Sequence, residues 1–154
     1  GRDFDYRLTR FLVEEAEKQF NEDFSNNKRV LARLEKEARK AKEVLSANKE
    51  VRVRIESLSN DRDFSTIITR DGFEEMCADL FEKVMKPIHQ LFEESVVSLD
   101  DVDIEVIGGG SRVTKINQLL SDLFGERVGR HLNGDESALS GALLYAATGT
   151  AGKK

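Results

Sequence analysis

One glycine run in the chain lies where it could favour anion binding. Gly108, Gly109 and Gly110 follow an apolar stretch, and an amphipathic segment begins at Arg112. A strand that enters a helix through glycines presents free backbone N–H groups at the helix N-terminus, where an anion is stabilised. The run is neither a Walker loop nor a dinucleotide fingerprint, because no Lys-Ser/Thr pair and no third spaced glycine follows. A plain strand-to-helix turn is therefore the alternative interpretation.

A second group of polar residues shares one face of a predicted helix. Arg39, Lys42, Glu43 and Ser46 stand at positions i, i+3, i+4 and i+7, so all four project from the same side. The alternative is a solvated face on which Arg39 and Glu43 form an exposed ion pair, worth only about 0.3–0.5 kcal/mol. Asp135 opens the last predicted helix, and as an isolated aspartate it is best explained as an N-cap.

The remaining reactive side chains form no recognisable site. His89 and His131 are far apart in sequence and have no second ligand at metal-binding spacing. Cys77 is the only cysteine, which excludes an internal disulfide and a cysteine metal cluster. It stands among apolar residues at helical spacing, so we expect a small buried hydrophobe rather than a nucleophile.

Periodicity predicts the elements that must position these residues. Apolar residues at steps of three and four predict helices over residues 3–20 and 28–46. Strict alternation predicts a strand over 51–58 and a partner strand over 63–69. A helix over 71–94 follows, capped by Thr69 and kinked or split at Pro87, the only proline.

The pattern changes after residue 100. An apolar strand over 102–107 leads through the glycines into a helix over 112–124, and a last helix is predicted over 136–147. Residues 149–154 are expected to be a mobile tail. The first part is thus a helical and hairpin unit, whereas the second is a strand–glycine loop–helix slice of an α/β layer. The predicted strand over 102–107 is apolar enough to require neighbouring strands in a sheet.

Composition narrows the classes of partner. The chain has 154 residues and a net charge of −5, so it has no bulk attraction to nucleic acid or to an anionic membrane. No apolar run approaches the roughly 18 residues of a membrane-spanning helix. Hydrophobic residues at 39% and charged residues at 34% indicate an ordinary folded domain.

Five segments in order carry a resemblance to a known family. They are GRDFD, NNKRVLARLEKEARKAKEVLSAN, ITRDGFEEMCADLF, IEVIGGGSRVTKI and LNGDESALSGALLYAA. Together they resemble the second lobe of the nucleotide-binding domain of the heat shock protein 70 superfamily, over nearly the whole chain. The resemblance implies part of an α/β, actin-like ATPase lobe over residues 1–148, with a helical and hairpin subdomain over about 4–100 and a return to the α/β layer over 101–148.

Details of two segments resemble the large members of the superfamily. VLSAN, and LNGDE in place of Asn-Pro-Asp-Glu, are similar to the heat shock protein 110 class and to the hypoxia up-regulated (Grp-one-seventy) class of the endoplasmic reticulum. CADLF favours the latter, which implies the endoplasmic reticulum lumen, with the cytoplasm as the alternative.

The resemblance implies that ADP or ATP lies between two lobes and touches the glycine run. Gly108 and Gly109 match the glycines beside the ribose and phosphates, and Gly110 stands where the common chaperones have serine. Arg112 matches the arginine that stacks on adenine, as a planar guanidinium can. Val113 matches the aliphatic residue that follows it.

The polar helix face is implied to hold the rest of the adenosine. Lys42 matches a lysine that contacts the ribose hydroxyls, Ser46 a serine near the adenine edge, and Asp135 an aspartate that closes the pocket. Two positions depart from the family pattern, which usually has an acid in place of Arg39 and a basic residue in place of Glu43. Because a carboxylate cannot stack as a guanidinium does, we expect weaker or altered adenosine binding.

The resemblance implies an ATP-dependent chaperone that assists protein folding. Its catalytic and Mg²⁺-binding residues would lie outside this chain, which alone should not hydrolyse ATP. The expected partners are unfolded client proteins and either co-chaperones or a partner heat shock protein 70. The alternatives are a nucleotide-exchange factor in which ATP is mainly structural, and a helical scaffold used only for protein contacts. The nucleotide-binding hypotheses require the helix bearing Lys42 and the glycine bend to converge on one cleft.

Overall fold

The structure is a computed structural model that describes residues 1–96, 98, 101–133 and 136–151. Six helices and four strands follow one another in the described chain. In order they are α1 (Arg2–Phe20), α2 (Lys28–Ala47), β1 (Glu50–Ser59), β2 (Arg62–Thr69), α3 (Arg70–Met76), α4 (Ala78–Glu94), β3 (Ile104–Glu105), α5 (Thr114–Phe124), β4 (Val128–Gly129) and α6 (Ser137–Ala151). Two 3₁₀ turns, Gly109–Arg112 and Gly125–Arg127, flank α5.

The first two helices pack side by side along their apolar stripes. Leu8 and Leu12 of α1 and Leu34 and Ala38 of α2 are fully buried, as expected for apolar residues repeating at helical spacing. The side chain of Asn27 accepts a hydrogen bond from the Val30 N–H and caps α2. Both predicted helices are confirmed to within about one residue at each end.

Strands β1 and β2 form an antiparallel hairpin with the predicted alternation. Val53 pairs with Thr66 and Ile55 with Phe64. Val53, Ile55 and Phe64 are buried, whereas the arginines between them are exposed. The inner face lies against α2 and the outer face meets water.

The next helical segment breaks at Cys77, so the prediction that Pro87 would split it is wrong. Thr69 caps α3 as predicted, by accepting a hydrogen bond from the Gly72 N–H. Cys77 leaves the helical conformation, and Pro87 lies inside α4 at an exposed position. The break lets both helices reach one ring, because Phe4 of α1 lies 6.0 Å from Phe73 in α3 and 5.3 Å from Phe81 in α4.

The second part of the chain is a short parallel pair of strands with a helix packed on it. Ile104 pairs with Val128 and Glu105 with Gly129. The regular strand is shorter than the predicted 102–107, because β4 offers only two pairing residues. Helix α5 buries Ile116, Leu120 and Phe124, and the Phe124 ring lies 5.9 Å from that of Phe92 in α4.

The last helix presents apolar side chains to solvent. It runs from Ser137 to Ala151, longer than the predicted 136–147. Its exposed large residues are Leu139, Leu143, Leu144 and Tyr145. Residues 149–151 of the predicted mobile tail belong to α6, so that part of the prediction is wrong. Residues 152–154 of the tail, and part of the predicted turn before α6, lie outside the described residues. Among the helices that the structure describes, none combines the length and hydrophobicity required to cross a membrane.

Candidate functional site

The polar face of α2 and the glycine turn line one cavity. Its volume is about 320 Å³, within the range of small-molecule sites. We call it the adenosine cleft, after the ligand that the sequence resemblance implies. Its lining residues are Arg39, Lys42, Glu43 and Ser46 from α2, and Gly109, Arg112 and Val113 from the turn before α5. The two segments, more than sixty residues apart in sequence, therefore converge.

A second cavity adjoins the first. It has a volume of about 340 Å³ and shares Ser46 and Arg112 with the adenosine cleft. Its other lining residues are Val106, Gly108, Ser111, Asn117, Arg130 and Leu132. We call it the adjoining cavity. The Thr114 hydroxyl donates to the carbonyl oxygen of Ser46 over 3.2 Å, which ties the start of α5 to the end of α2 between the two cavities.

The glycine run opens a short 3₁₀ turn over Gly109–Arg112 and not the long helix predicted from residue 112. The run continues into a 3₁₀ turn, and α5 begins only at Thr114. The Ser111 N–H donates to the Gly108 carbonyl over 3.1 Å, and the Val113 N–H donates to the Gly110 carbonyl over 3.3 Å. Internal hydrogen bonds therefore occupy the N–H groups of Ser111 and Val113, which follow the glycines.

The conformation at Gly108 requires glycine. Its φ of +84° lies in the region that side chains with a Cβ rarely adopt. Gly109 lines the adenosine cleft and Gly108 the adjoining cavity. Gly110 lies beside the start of α1, since a Cβ built on it would lie 3.8 Å from the backbone nitrogen of Gly1. The three glycines thus occupy three different surroundings.

Lys42 forms an ion pair inside the site that sequence reasoning missed. Its Nζ lies 2.6 Å from Oδ1 of Asp5 in α1, and only 16% of each side chain is exposed. Asp5 follows Phe4, the first residue of the buried stripe of α1, and is itself partly buried. That position, with an opposite charge on the facing helix, was the available signal. The pair holds the ammonium group at the wall of the cleft.

Arg39 and Glu43 do not pair with each other, so the predicted ion pair is wrong. Arg39 instead pairs with Glu35, one turn earlier, over 3.4 Å. The Glu43 carboxylate is exposed at the cleft, and its backbone carbonyl accepts a hydrogen bond of 2.6 Å from the Ser46 hydroxyl. The cleft therefore has an exposed carboxylate on its α2 side.

The other predicted residues occupy distinct environments. Val113 is buried at 6% exposure, and Arg112 is exposed at the cleft. Asp135 lies outside the described residues. Cys77 is buried, as predicted, and burial raises the pKa of its thiol to about 12, so little of the reactive thiolate forms at neutral pH. Within the described ranges, His, Cys, Asp and Glu side chains form no cluster of three that could hold a metal.

Comparison with known proteins identifies the family. The family model described as "Hsp70 protein" matches residues 1–153. The chain belongs to the Hsp70 family. Its fold is accordingly part of the actin-like ATPase architecture of the Hsp70 nucleotide-binding domain. Members of this family bind ATP or ADP with Mg²⁺.

Similar Hsp70 relatives come from several kingdoms. Heat shock 70 kDa protein 17 of Arabidopsis thaliana is 35% identical over 96% of this chain and 17% of its own length. Heat shock 70 kDa protein of Emericella nidulans is 37% identical over 96% of this chain and 23% of its own. Hypoxia up-regulated protein 1 of Homo sapiens is 39% identical over 92% of this chain and 14% of its own. The chain thus spans less than a quarter of the length of each.

Proposed function

We propose that the chain is the adenosine-binding part of the second lobe of an ATP-dependent chaperone of the Hsp70 family. The observation that supports this best is the adenosine cleft, where Lys42 and Ser46 of α2 face Gly109 and Arg112 of the glycine turn. A solvated helix face would not need a partner segment with glycines. Convergence of both segments is what a ligand held between them requires.

The side chains of the cleft suit the parts of a nucleoside. The planar guanidinium of Arg112 can stack on a purine face. The Lys42 ammonium, fixed by Asp5, is placed to donate to ribose hydroxyls. The Ser46 hydroxyl can exchange its bond to the Glu43 carbonyl for one to the edge of the base.

In this proposal no side chain of the glycine turn blocks the phosphate end of the nucleotide. Gly109 lines the cleft without a side chain, so phosphates can pass close to the main chain. The Mg²⁺ and the groups that act on the γ-phosphate would be supplied from outside this chain, and we expect no hydrolysis by it alone. Asp135, which matches the family's aspartate in sequence, is proposed to close the adenosine pocket.

Two residues distinguish this cleft from the common family pattern. Glu43 places negative charge where a second cation would stack, and a carboxylate repels the electron-rich face of an aromatic ring. Arg39 is drawn toward Glu35 and carries charge opposite to the usual acid. We therefore propose that adenosine is held mainly from the Arg112 side.

Titration of ADP into the full-length gene product tests this function. Arg112→Ala should weaken ADP binding by about five- to thirtyfold, because a desolvated cation–π contact contributes about 1–2 kcal/mol. The matched control is Arg54→Ala, which removes an exposed arginine of the hairpin. Isothermal titration calorimetry gives both values. Equal ADP affinity for wild type and Arg112→Ala would remove Arg112 from the site.

A second function is favoured by Glu43 and by the relatives of the large class. We propose as the alternative that the parent acts on a partner heat shock protein 70 as a nucleotide-exchange factor, with its own ATP serving to hold a shape. The test is the rate at which a fluorescent ADP leaves the partner when the full-length gene product is added. An unchanged release rate would exclude the exchange-factor alternative, and the folding-chaperone function would then be the one that stands.

Partners and location follow from the same proposal. Unfolded client proteins and co-chaperones would be bound through the full-length product. Similarity to hypoxia up-regulated protein 1 supports the endoplasmic reticulum lumen, and the other heat shock relatives support the cytoplasm as the alternative. Subcellular fractionation of cells that express the tagged full-length product separates the two.

A further inference from the structure

A carboxylate outside the predicted site holds the segment that follows β4. Oε1 of Glu105 accepts hydrogen bonds from the backbone N–H groups of His131 and Leu132, the latter at 2.8 Å. Its Oε2 lies 3.1 Å from Nδ1 of His131. One side chain of β3 thus fixes two consecutive main-chain donors that no strand pairing uses.

The segment held in this way is part of a ligand-sized cavity. Arg130 and Leu132 line the adjoining cavity, together with Ser46 and Arg112 of the adenosine cleft. Val106, which follows β3, lines the same cavity. Glu105 therefore connects the strand that leads into the glycine turn with another segment that lines the cavity.

Gly129 lies directly against the carboxylate. A Cβ built on Gly129, the residue paired with Glu105, would meet the Glu105 carboxylate and would lie 2.8 Å from Nδ1 of His131. A side chain at residue 129 would thus displace the carboxylate or the ring. Backbone N–H bonds favour the charged form of a carboxyl group, and the Leu132 N–H is the first cause that lowers the pKa of Glu105.

We propose that Glu105 is a positioning residue of the nucleotide site, which holds Arg130–Leu132 against the adenosine end through its bonds to the His131 and Leu132 N–H groups. This inference rests on the proposed function. Charge-assisted hydrogen bonds to main-chain donors are the stronger kind and restrict the segment to one position. Preorganisation of this sort lowers the cost of binding without contact to the ligand.

The experiment compares Glu105→Ala and Glu105→Gln in the full-length gene product. The control is Glu126→Ala, an exposed glutamate of the 3₁₀ turn before β4. Glu105→Ala should weaken ADP and adenosine binding alike, by about three- to tenfold, and should leave pyrophosphate binding unchanged. Glu105→Gln keeps one acceptor oxygen and should restore part of the affinity. Amide hydrogen exchange of Leu132 should speed up in the same order.

A double-mutant cycle with Leu132→Ala shows whether Glu105 acts through the segment. Non-additive losses of ADP affinity support the proposal, and fully additive losses overturn it. If Glu105→Ala speeds up amide exchange at Leu132 but leaves ADP affinity unchanged, the role proposed for Glu105 is overturned. The proposed function still stands in that case if Arg112→Ala weakens ADP binding. If neither Arg112→Ala nor Glu105→Ala changes ADP affinity, both fail. Should Glu105→Ala not fold, Gly129→Ala perturbs the same carboxylate and must weaken adenosine binding.

Discussion

The ion pair between Asp5 and Lys42 offers the sharpest test of how the adenosine cleft is built. Replacing Asp5 by asparagine removes the negative charge and keeps the size of the side chain. In the wild type the carboxylate lies 2.6 Å from the Lys42 ammonium, and only 16% of the Lys42 side chain is exposed. In the variant the ammonium loses this carboxylate while it stays largely shielded from water. Because a charge held out of water without a partner is costly, we expect this single change to destabilise the fold.

The magnitude follows from distance and burial. Two unit charges about 4 Å apart attract by roughly 4 kcal/mol at an effective dielectric constant near 20. The cost of withdrawing both groups from water offsets much of that attraction, so the pair adds little net stability. Removing one partner of a fully buried pair costs about 3–5 kcal/mol, and residual hydration here reduces the expected loss to about 2 kcal/mol. For a chain of this length that corresponds to a Tm lower by about 4–8 °C.

The assay is urea unfolding of a double-mutant cycle, followed by circular dichroism. We expect a coupling free energy of about 1–2 kcal/mol between Asp5→Asn and Lys42→Met. Arg7 and Asp79 provide the control: their pair at 2.7 Å also starts from α1, but its side chains are 37% and 47% exposed. That coupling should stay below about 1 kcal/mol. Equal coupling in the two cycles would refute the view that burial makes the Lys42 pair special.

Three further predictions concern stability and reactivity. Burial raises the pKa of the Cys77 thiol from 9.0 to about 12. Because the thiol of the unfolded chain ionises at lower pH than the folded one, the free energy of unfolding should fall as pH rises from 9 to 12. Iodoacetamide at about pH 8 should label Cys77 only after denaturant is added. The hydrogen bond from the Leu132 N–H lowers the pKa of Glu105 below 4.5. The charged carboxylate therefore stabilises the fold above that pH, and this stabilisation disappears as pH falls through the folded-state pKa. The Leu132 amide should lose hydrogen-exchange protection in acid, and Glu105→Gln should abolish this pH dependence. Thr69→Ala removes the cap bond to the Gly72 N–H and should lower the free energy of unfolding by about 1 kcal/mol in urea titrations.

Local patterns in the sequence were sufficient for α1, α2 and the hairpin, and for one side of the cleft. Helical spacing predicted α1 and α2, and strict alternation predicted which face of β1 would be buried, because burial imposes these periods on any amphipathic element. The same spacing placed Arg39, Lys42, Glu43 and Ser46 on one face. The pairing of Arg39 with Glu35 also follows a local rule that was overlooked, since an acid four residues before a base is the more favourable order along a helix.

Contacts between distant segments were decided by the tertiary structure alone. Asp5 meets Lys42, and Glu105 meets the main chain of His131 and Leu132, across sequence separations that no local pattern encodes. Tertiary packing also decides that the helix breaks at Cys77 and not at Pro87. The Phe4 ring can contact both Phe73 of α3 and Phe81 of α4 only if the chain turns between these two helices. Propensity is a weak local term, and packing around a shared core outweighs it.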